Sequence, residues 1–312
     1  MSAFGELSTK FFDLYGQEAY TEALDLLDGA FASFPDHRTE MLTWKLCMLS
    51  RAGQKDKAIE FLRQAVETST YWWMPSALRK DPDLAPLQGN PEYDRLVGIC
   101  EARQQEALQN GRPVRKVFQP KTGSPKPFPL LISFHGWGQN AEIDAPHWQG
   151  LADQGWLVAV TCSSFQVADG LYAWDNLECA MDEAGTHYQA LCCEYPVDLK
   201  RVVLTGFSQG GGGAVWMALT QAIPICGVIG IGPYLNEIDT LAPNLPQKPV
   251  PNVRIYVISG SEEKDEDRFA KIGALCAEKG VPFQHEIVPN IGHEFPLDFE
   301  QYRERALKFI LE

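Results

Sequence analysis

Apolar positions recur at helical spacing through roughly the first 108 residues and at strand spacing afterwards, and this change of period organises the whole chain. In the first stretch Ala23, Leu27 and Ala30 return as Ala58, Leu62 and Ala65, a spacing of 35 in each case, with Pro35 closing the first unit and Gly53 turning the second. Small residues at a fixed period are what paired helices need where their backbones approach. A helix from about Leu96 to Leu108 follows, and Asn110-Gly111-Arg112-Pro113 ends the helical pattern. Short apolar runs then predict strands near Val114 to Gln119, Leu130 to Phe134, Leu157 to Thr161, Arg201 to Leu204, Gly227 to Ile231, Val253 to Ser259 and Gln284 to Val288. Helical stretches at Glu178 to Cys193, Gly211 to Ala222, Asp267 to Lys279 and Phe299 to Leu311 separate most of them. Continuous apolar strands alternating with helices predict an α/β domain over residues 111–312, a doubly wound, mainly parallel sheet covered on both faces. An all-α helical-repeat domain, residues 1–110, precedes it.

The 35-residue period resembles a tetratricopeptide pair, with Asp81-Pro82-Asp83-Leu84-Ala85-Pro86-Leu87 through Asn90-Pro91-Glu92-Tyr93 as the tail that ends such arrays. So few repeats bury little by themselves, so the array is expected to lean on the remainder of the chain and to offer a surface to a protein partner or a second copy. Composition narrows the function. Of 312 residues, 45% are hydrophobic and 11% aromatic, enough for a full core and contrary to disorder. A formal charge of -14 repels phosphate backbones and anionic lipid, which argues against nucleic-acid and membrane-surface roles. No run of about 18 apolar residues could span a bilayer, and Glu6 and Asp13 spoil a secretory signal, so a cytoplasmic protein is expected. The eight cysteines fall in apolar contexts without the regular spacing of a disulfide framework, and the adjacent Cys192 and Cys193, which could be redox-active, read better as small buried hydrophobes. No His, Cys and acid cluster has metal-ligand spacing, so no metal is expected.

The strongest chemical signal is Gly206-Phe207-Ser208-Gln209-Gly210, placed between a strand ending at Thr205 and a helix opening with Gly211-Gly212-Gly213. A serine on a sharp strand-to-helix turn has its hydroxyl exposed, and residues two positions to either side must be small because helix and strand crowd the turn. Thr205-Gly206-x-x-x-Gly210-x-Gly212 also imitates a dinucleotide-binding turn. That alternative requires an acid about 20 residues on, and the first after Ser208 is Glu237. A nucleophilic serine needs a base and two oxyanion donors. His293, in Asn290-Ile291-Gly292-His293, follows the last strand, where a Ser, acid, His order places the base. His135-Gly136-Trp137-Gly138 directly follows the strand ending at Phe134, so the oxyanion donors are assigned to the backbone N–H groups of Trp137 and Gln209, with His135 bracing the loop.

Together Gly206-Phe207-Ser208-Gln209-Gly210-Gly211, His135-Gly136-Trp137-Gly138 and Gly292-His293 resemble the phospholipase/carboxylesterase branch of the α/β-hydrolases, near acyl-protein thioesterases and dienelactone hydrolases. The resemblance covers about residues 114–312. It implies hydrolysis of a small-molecule carboxylic ester or thioester through an acyl-serine, with no cofactor. The chain departs from that family at the acid: instead of Gly-x-x-Asp, Gly260 is followed by Ser261-Glu262-Glu263-Lys264-Asp265-Glu266-Asp267. Chemistry favours Asp265, aspartate being the commoner acid, and position favours Glu263. Tyr172 and Trp174 could wall an acyl or alcohol pocket, or equally pack in the core. Other readings of the same residues are a serine peptidase, and an interaction protein that keeps the hydrolase fold as a scaffold.

Overall fold

The computed structural model describes residues 3–69, 71–235, 238–246, 248–263 and 267–312. The chain divides into two compact units, one running up to Asn110 together with Gln166–Asp169, the other comprising Gly111–Phe165 and Gly170–Glu312. The helical unit contains α1 (Ala3–Gly16), α2 (Tyr20–Ala30), α3 (Arg38–Arg51), α4 (Lys55–Arg63), α5 (Pro75–Lys80) and α6 (Pro91–Asn110). Of the positions that repeat in the sequence, Ala23, Leu27, Ala58 and Leu62 are completely buried, whereas Ala30 and Ala65 are half-buried. Trp44 of α3 stacks on Phe11 of α1 with ring centres 4.5 Å apart, closing the first helix pair. The short strand β4 (Gln166–Ala168) also belongs to this unit, and the Asp169 N–H donates to Trp72 O at 3.0 Å.

The second unit is built on a seven-stranded sheet. Its strands are β1 (Val114–Phe118), β2 (Phe128–Phe134), β3 (Leu157–Cys162), β6 (Val197–Phe207), β7 (Gly227–Ile231), β8 (Arg254–Gly260) and β9 (Phe283–Val288), in the order β1-β3-β2-β6-β7-β8-β9. β1 runs antiparallel to β3, and the remaining pairs are parallel. The edges are the half-exposed strands, β1 carrying Arg115 and Lys116, whereas β2 and β3 are buried along their whole length. Charged side chains on an edge discourage pairing with another sheet. β5 (Leu171–Tyr172) lies outside this sheet.

Alternation along the strands divides the core in two. Leu130, Ile132 and Phe134 of β2 face the layer formed by α8 (Leu177–Glu194), α9 (Ser208–Thr220) and α11 (Asp267–Glu278), while Leu131 faces α7 (Ala141–Trp148) and α12 (Phe299–Leu311). Helices on both faces give the doubly wound α/β arrangement expected from the sequence. α7 was not foreseen, because Pro146 interrupts its pattern; Asn140 starts it by accepting the Glu142 and Ile143 N–H groups at 3.0 and 3.1 Å. Between β7 and β8 the described residues hold only the four-residue helix α10 (Ile238–Leu241) and a short turn. Strand order reverses between β2 and β6, so the crevice beyond their carboxyl ends is a topological switch point, where open α/β sheets place their ligands.

Three histidines of this unit are held neutral. Burial pushes His135, His147 and His187 down to about 4, and neither ring nitrogen of His187 has a hydrogen-bond partner among the described residues. Burial pushes Asp144 the other way, up to about 6, despite hydrogen bonds from Ser133 and Trp148. Below about pH 6.5 the unfolded chain takes up protons at the three histidines that the folded chain refuses, so their stabilisation is complete above that pH and is lost toward pH 4. Asp144 offsets one of them by binding a proton more readily when folded. Unfolding in urea should therefore show stability falling by roughly 2–3 kcal/mol per pH unit between about pH 6 and 4, each net proton contributing about 1.4 kcal/mol per unit. His187→Leu should flatten that slope by about one proton, and an unchanged slope would mean that His187 is not held neutral.

Candidate active site

The site begins where β6 passes directly into α9, with Phe207 ending the strand and Ser208 beginning the helix. Ser208 has φ +51°, a left-handed conformation that a residue with a Cβ adopts only at a cost in strain. The glycines flanking it are sterically required: a Cβ on Gly206 would stand 2.6 Å from Phe134 O, and one on Gly210 would stand 2.2 Å from the same oxygen. Ser208 O accepts the Tyr234 N–H at 2.8 Å, tying the turn to the loop after β7. The Gln209 side chain accepts the Trp174 N–H and donates to Asp175, both at 2.8 Å, while its backbone N–H lies in the first helical turn, where no intrahelical acceptor is available.

Beside it, the loop following β2 has its amides sorted by function. Gly136 N donates to Gln139 Oε1 at 3.0 Å, Gly138 N to Tyr172 O at 2.8 Å and Gln139 N to Gly136 O at 3.2 Å. The Trp137 N–H is left without a partner among the described residues, and its indole is 48% exposed. His135 holds this loop from inside: it is fully buried, Nδ1 donates to Gly136 O at 2.7 Å, and Nε2 accepts the Ser163 N–H at 3.4 Å. A ring held neutral and bonded at both nitrogens braces backbone and has no free position for proton transfer.

His293 lies on the loop after β9, its side chain 40% exposed, with its ring centre 4.7 Å from that of Phe207. Its Nδ1 meets Glu263 Oε2 at 2.8 Å. The loop is anchored by Phe295, which stacks on His147 at 3.6 Å and on Phe207 at 5.2 Å. Gly232 makes room for the imidazole, because a Cβ there would stand 2.8 Å from Nδ1. Glu263 is 2% exposed; its Oε1 accepts the Gly260 N–H at 3.0 Å, and Arg268 of α11 donates through Nη2 to Oε2. Burial alone would raise the Glu263 carboxyl, but the hydrogen bonds from His293 and Gly260 and the charges of His293 and Arg268 outweigh it and hold it below the usual carboxylate range. Asp265, the alternative acid from the sequence, lies outside the described residues.

Trp174 is in the core, its indole N–H donating to His135 O at 2.9 Å and its ring set edge-on to Phe134, so it supports the loop after β2 from behind. Tyr172 is half-buried and bridges to Gln139. The other histidines are structural: His285 bonds Ser259 Oγ at 2.8 Å, His37 pairs with Glu40 at 2.6 Å, and His147 and His187 lie within α7 and α8. The cysteines are free, and Cys193 is exposed and Cys192 half-buried, contrary to the buried reading of that pair. In the helical unit Cys47, Asp81 and Asp83 come within 4.8 Å of one another. Asp83 is already engaged by Tyr15 at 3.0 Å and Arg51 at 3.6 Å, and burial pushes the Cys47 thiol up, away from the thiolate a metal requires. Sequence reasoning missed Arg268, Gly232 and Phe295, which carry no motif and reach the site only through folding.

Residues 4–108 match the family described as A/B hydrolase-like, N-terminal domain. No curated protein is significantly similar to the chain. Among solved structures, an uncharacterised protein from Bacillus cereus is similar over 99% of both chains, at 23% identity and a TM-score of 0.52. A Bacillus cereus carboxylesterase is similar over 66% of this chain and 99% of its own, at 14% identity and TM-score 0.51. A dienelactone hydrolase-like promiscuous phosphotriesterase from metagenomic libraries is similar over 65% of this chain and 94% of its own, at 15% identity and TM-score 0.52. These likenesses establish an α/β-hydrolase-like fold preceded by a helical region.

Proposed function

We propose that the chain is a serine hydrolase that cleaves carboxylic esters, thioesters among them, of small to medium acyl groups through an acyl-serine intermediate. The observation that carries this reading is a serine held at φ +51° between two glycines that tolerate no Cβ, with an imidazole–carboxylate pair beside the residue preceding it. A scaffold has no need for a strained serine in a crevice. In this reading Ser208 Oγ attacks the ester carbonyl while His293 takes its proton on Nε2, and Glu263 fixes the tautomer and balances the imidazolium that forms. The carbonyl oxygen, now negative, accepts from the Trp137 and Gln209 N–H groups. His293 then protonates the leaving alcohol or thiol as the tetrahedral intermediate collapses to the acyl-serine. Water, deprotonated by the same imidazole, releases the acid and restores Ser208.

Substrate size follows from the rim. No described helix between β7 and β8 is long enough for a lid, and Tyr234 there is 43% exposed, which supports an open site for small, soluble acyl groups. No described helix is long and apolar enough to cross a membrane. The helical unit, read as a tetratricopeptide-like pair, would supply a surface for a protein partner or a second copy. A fluorophosphonate probe tests the reading: the expected result is one adduct per chain, located on Ser208 by mass spectrometry and absent after Ser208→Ala. A panel of p-nitrophenyl esters should be turned over faster at acetate and butyrate than at octanoate. No adduct on Ser208 would remove the proposal.

A further inference from the structure

We propose that Arg268 is a positioning residue of this site, clamping the triad carboxylate to the loop after β7. The inference rests on the serine-hydrolase reading above. Arg268 is the second residue of α11, and its side chain is only 12% exposed. Nη2 donates to Glu263 Oε2, the same oxygen that meets His293 Nδ1, and Nε donates to Pro233 O at 3.3 Å. The guanidinium is held over Phe269 at 4.4 Å and against Tyr234 at 5.5 Å from the ring centres. Pro233 and Tyr234 belong to the loop whose Gly232 abuts His293 and whose Tyr234 N–H holds Ser208 O at 2.8 Å. A single planar side chain thus connects the acid to the segment that fixes both base and nucleophile, a task that suits the guanidinium fork and not a point charge.

The clamp and the charge of the guanidinium are separable by substitution, since lysine keeps the charge and loses the planar fork. Among the described residues, the titratable and charged groups around the Glu263–His293 pair are Arg268 of α11, Tyr234 of the β7 loop, and Glu262 and Glu294 beside the partners in the chain; β6 contributes the apolar Phe207.

The test is kcat and KM on p-nitrophenyl acetate for the full chain, Arg268→Gln and Arg268→Lys. For Arg268→Gln kcat should fall several-fold with KM unchanged, because Arg268 does not touch substrate. Arg268→Lys keeps the charge and loses the fork, so its kcat should fall as well. A wild-type kcat in the Gln variant overturns the proposal. If that variant does not fold, the Lys variant decides alone: a wild-type kcat overturns the clamp. Fluorophosphonate labelling separates this failure from failure of the parent reading, because an unchanged kcat in an enzyme labelled on Ser208 refutes only the role of Arg268.

Discussion

Ser208→Ala should lower kcat/KM for p-nitrophenyl acetate by a factor of about 10⁴ or more, as removal of the nucleophile does in serine hydrolases, while the protein stays folded. The fold should survive for a specific reason. The cost of φ +51° comes from a Cβ in a left-handed turn, and alanine carries the same Cβ, so the substitution neither adds nor relieves strain. The glycines that permit the turn are untouched, as is the backbone bond from Tyr234 N–H to Ser208 O. Circular dichroism should be unchanged and the melting temperature within roughly 2 °C of wild type, a surface-scale effect. Residual turnover above background would come from the oxyanion donors and binding alone. Retention of most wild-type activity would place the nucleophile elsewhere.

The second large effect concerns the acid. Glu263→Gln is expected to cost about 10³ to 10⁴ in kcat, because an amide can hold the imidazole in the wrong tautomer and cannot balance the imidazolium formed in the transition state. Asp265→Asn should leave kcat within about threefold of wild type. The Glu263 carboxylate meets His293 Nδ1 at 2.8 Å and receives the Gly260 N–H. Glu263→Gln also removes an anionic partner of Arg268, so a loss of roughly 1–3 kcal/mol in stability is expected from the charged hydrogen bond lost in a largely buried place. Stability must therefore be measured beside rate, by urea unfolding at the pH of the assay. The opposite pattern, an active Glu263→Gln and an inactive Asp265→Asn, would transfer the role to Asp265.

Most of the architecture was legible because it depends on local rules. Strand period and burial on both faces placed all seven strands of the central sheet and the helices α8, α9, α11 and α12, with Phe299–Leu311 read at its actual limits. Ser208 was equally legible, because the crowding that demands glycine two residues to either side acts within one turn, and sequence proximity is enough to state it. α7 escaped because its proline and weak periodicity hide a helix that Asn140 and core packing nonetheless sustain. Only tertiary structure brings Glu263 to His293. Two positions two residues apart satisfy the same sequence argument, and the contact of the Glu263 carboxylate with His293, 30 residues away in the chain, depends on how the loop after β8 folds against Gly260 and Arg268. The same holds for the Trp137 N–H, left without a partner among the described residues while its neighbours find acceptors at Gln139, Tyr172 and Gly136, and for Trp174, whose hydrogen bond to His135 O no pattern of apolar residues encodes. Periodicity fixes which face of an element is buried, whereas hydrogen-bond partners across loops are decided by where the folded backbone brings them together.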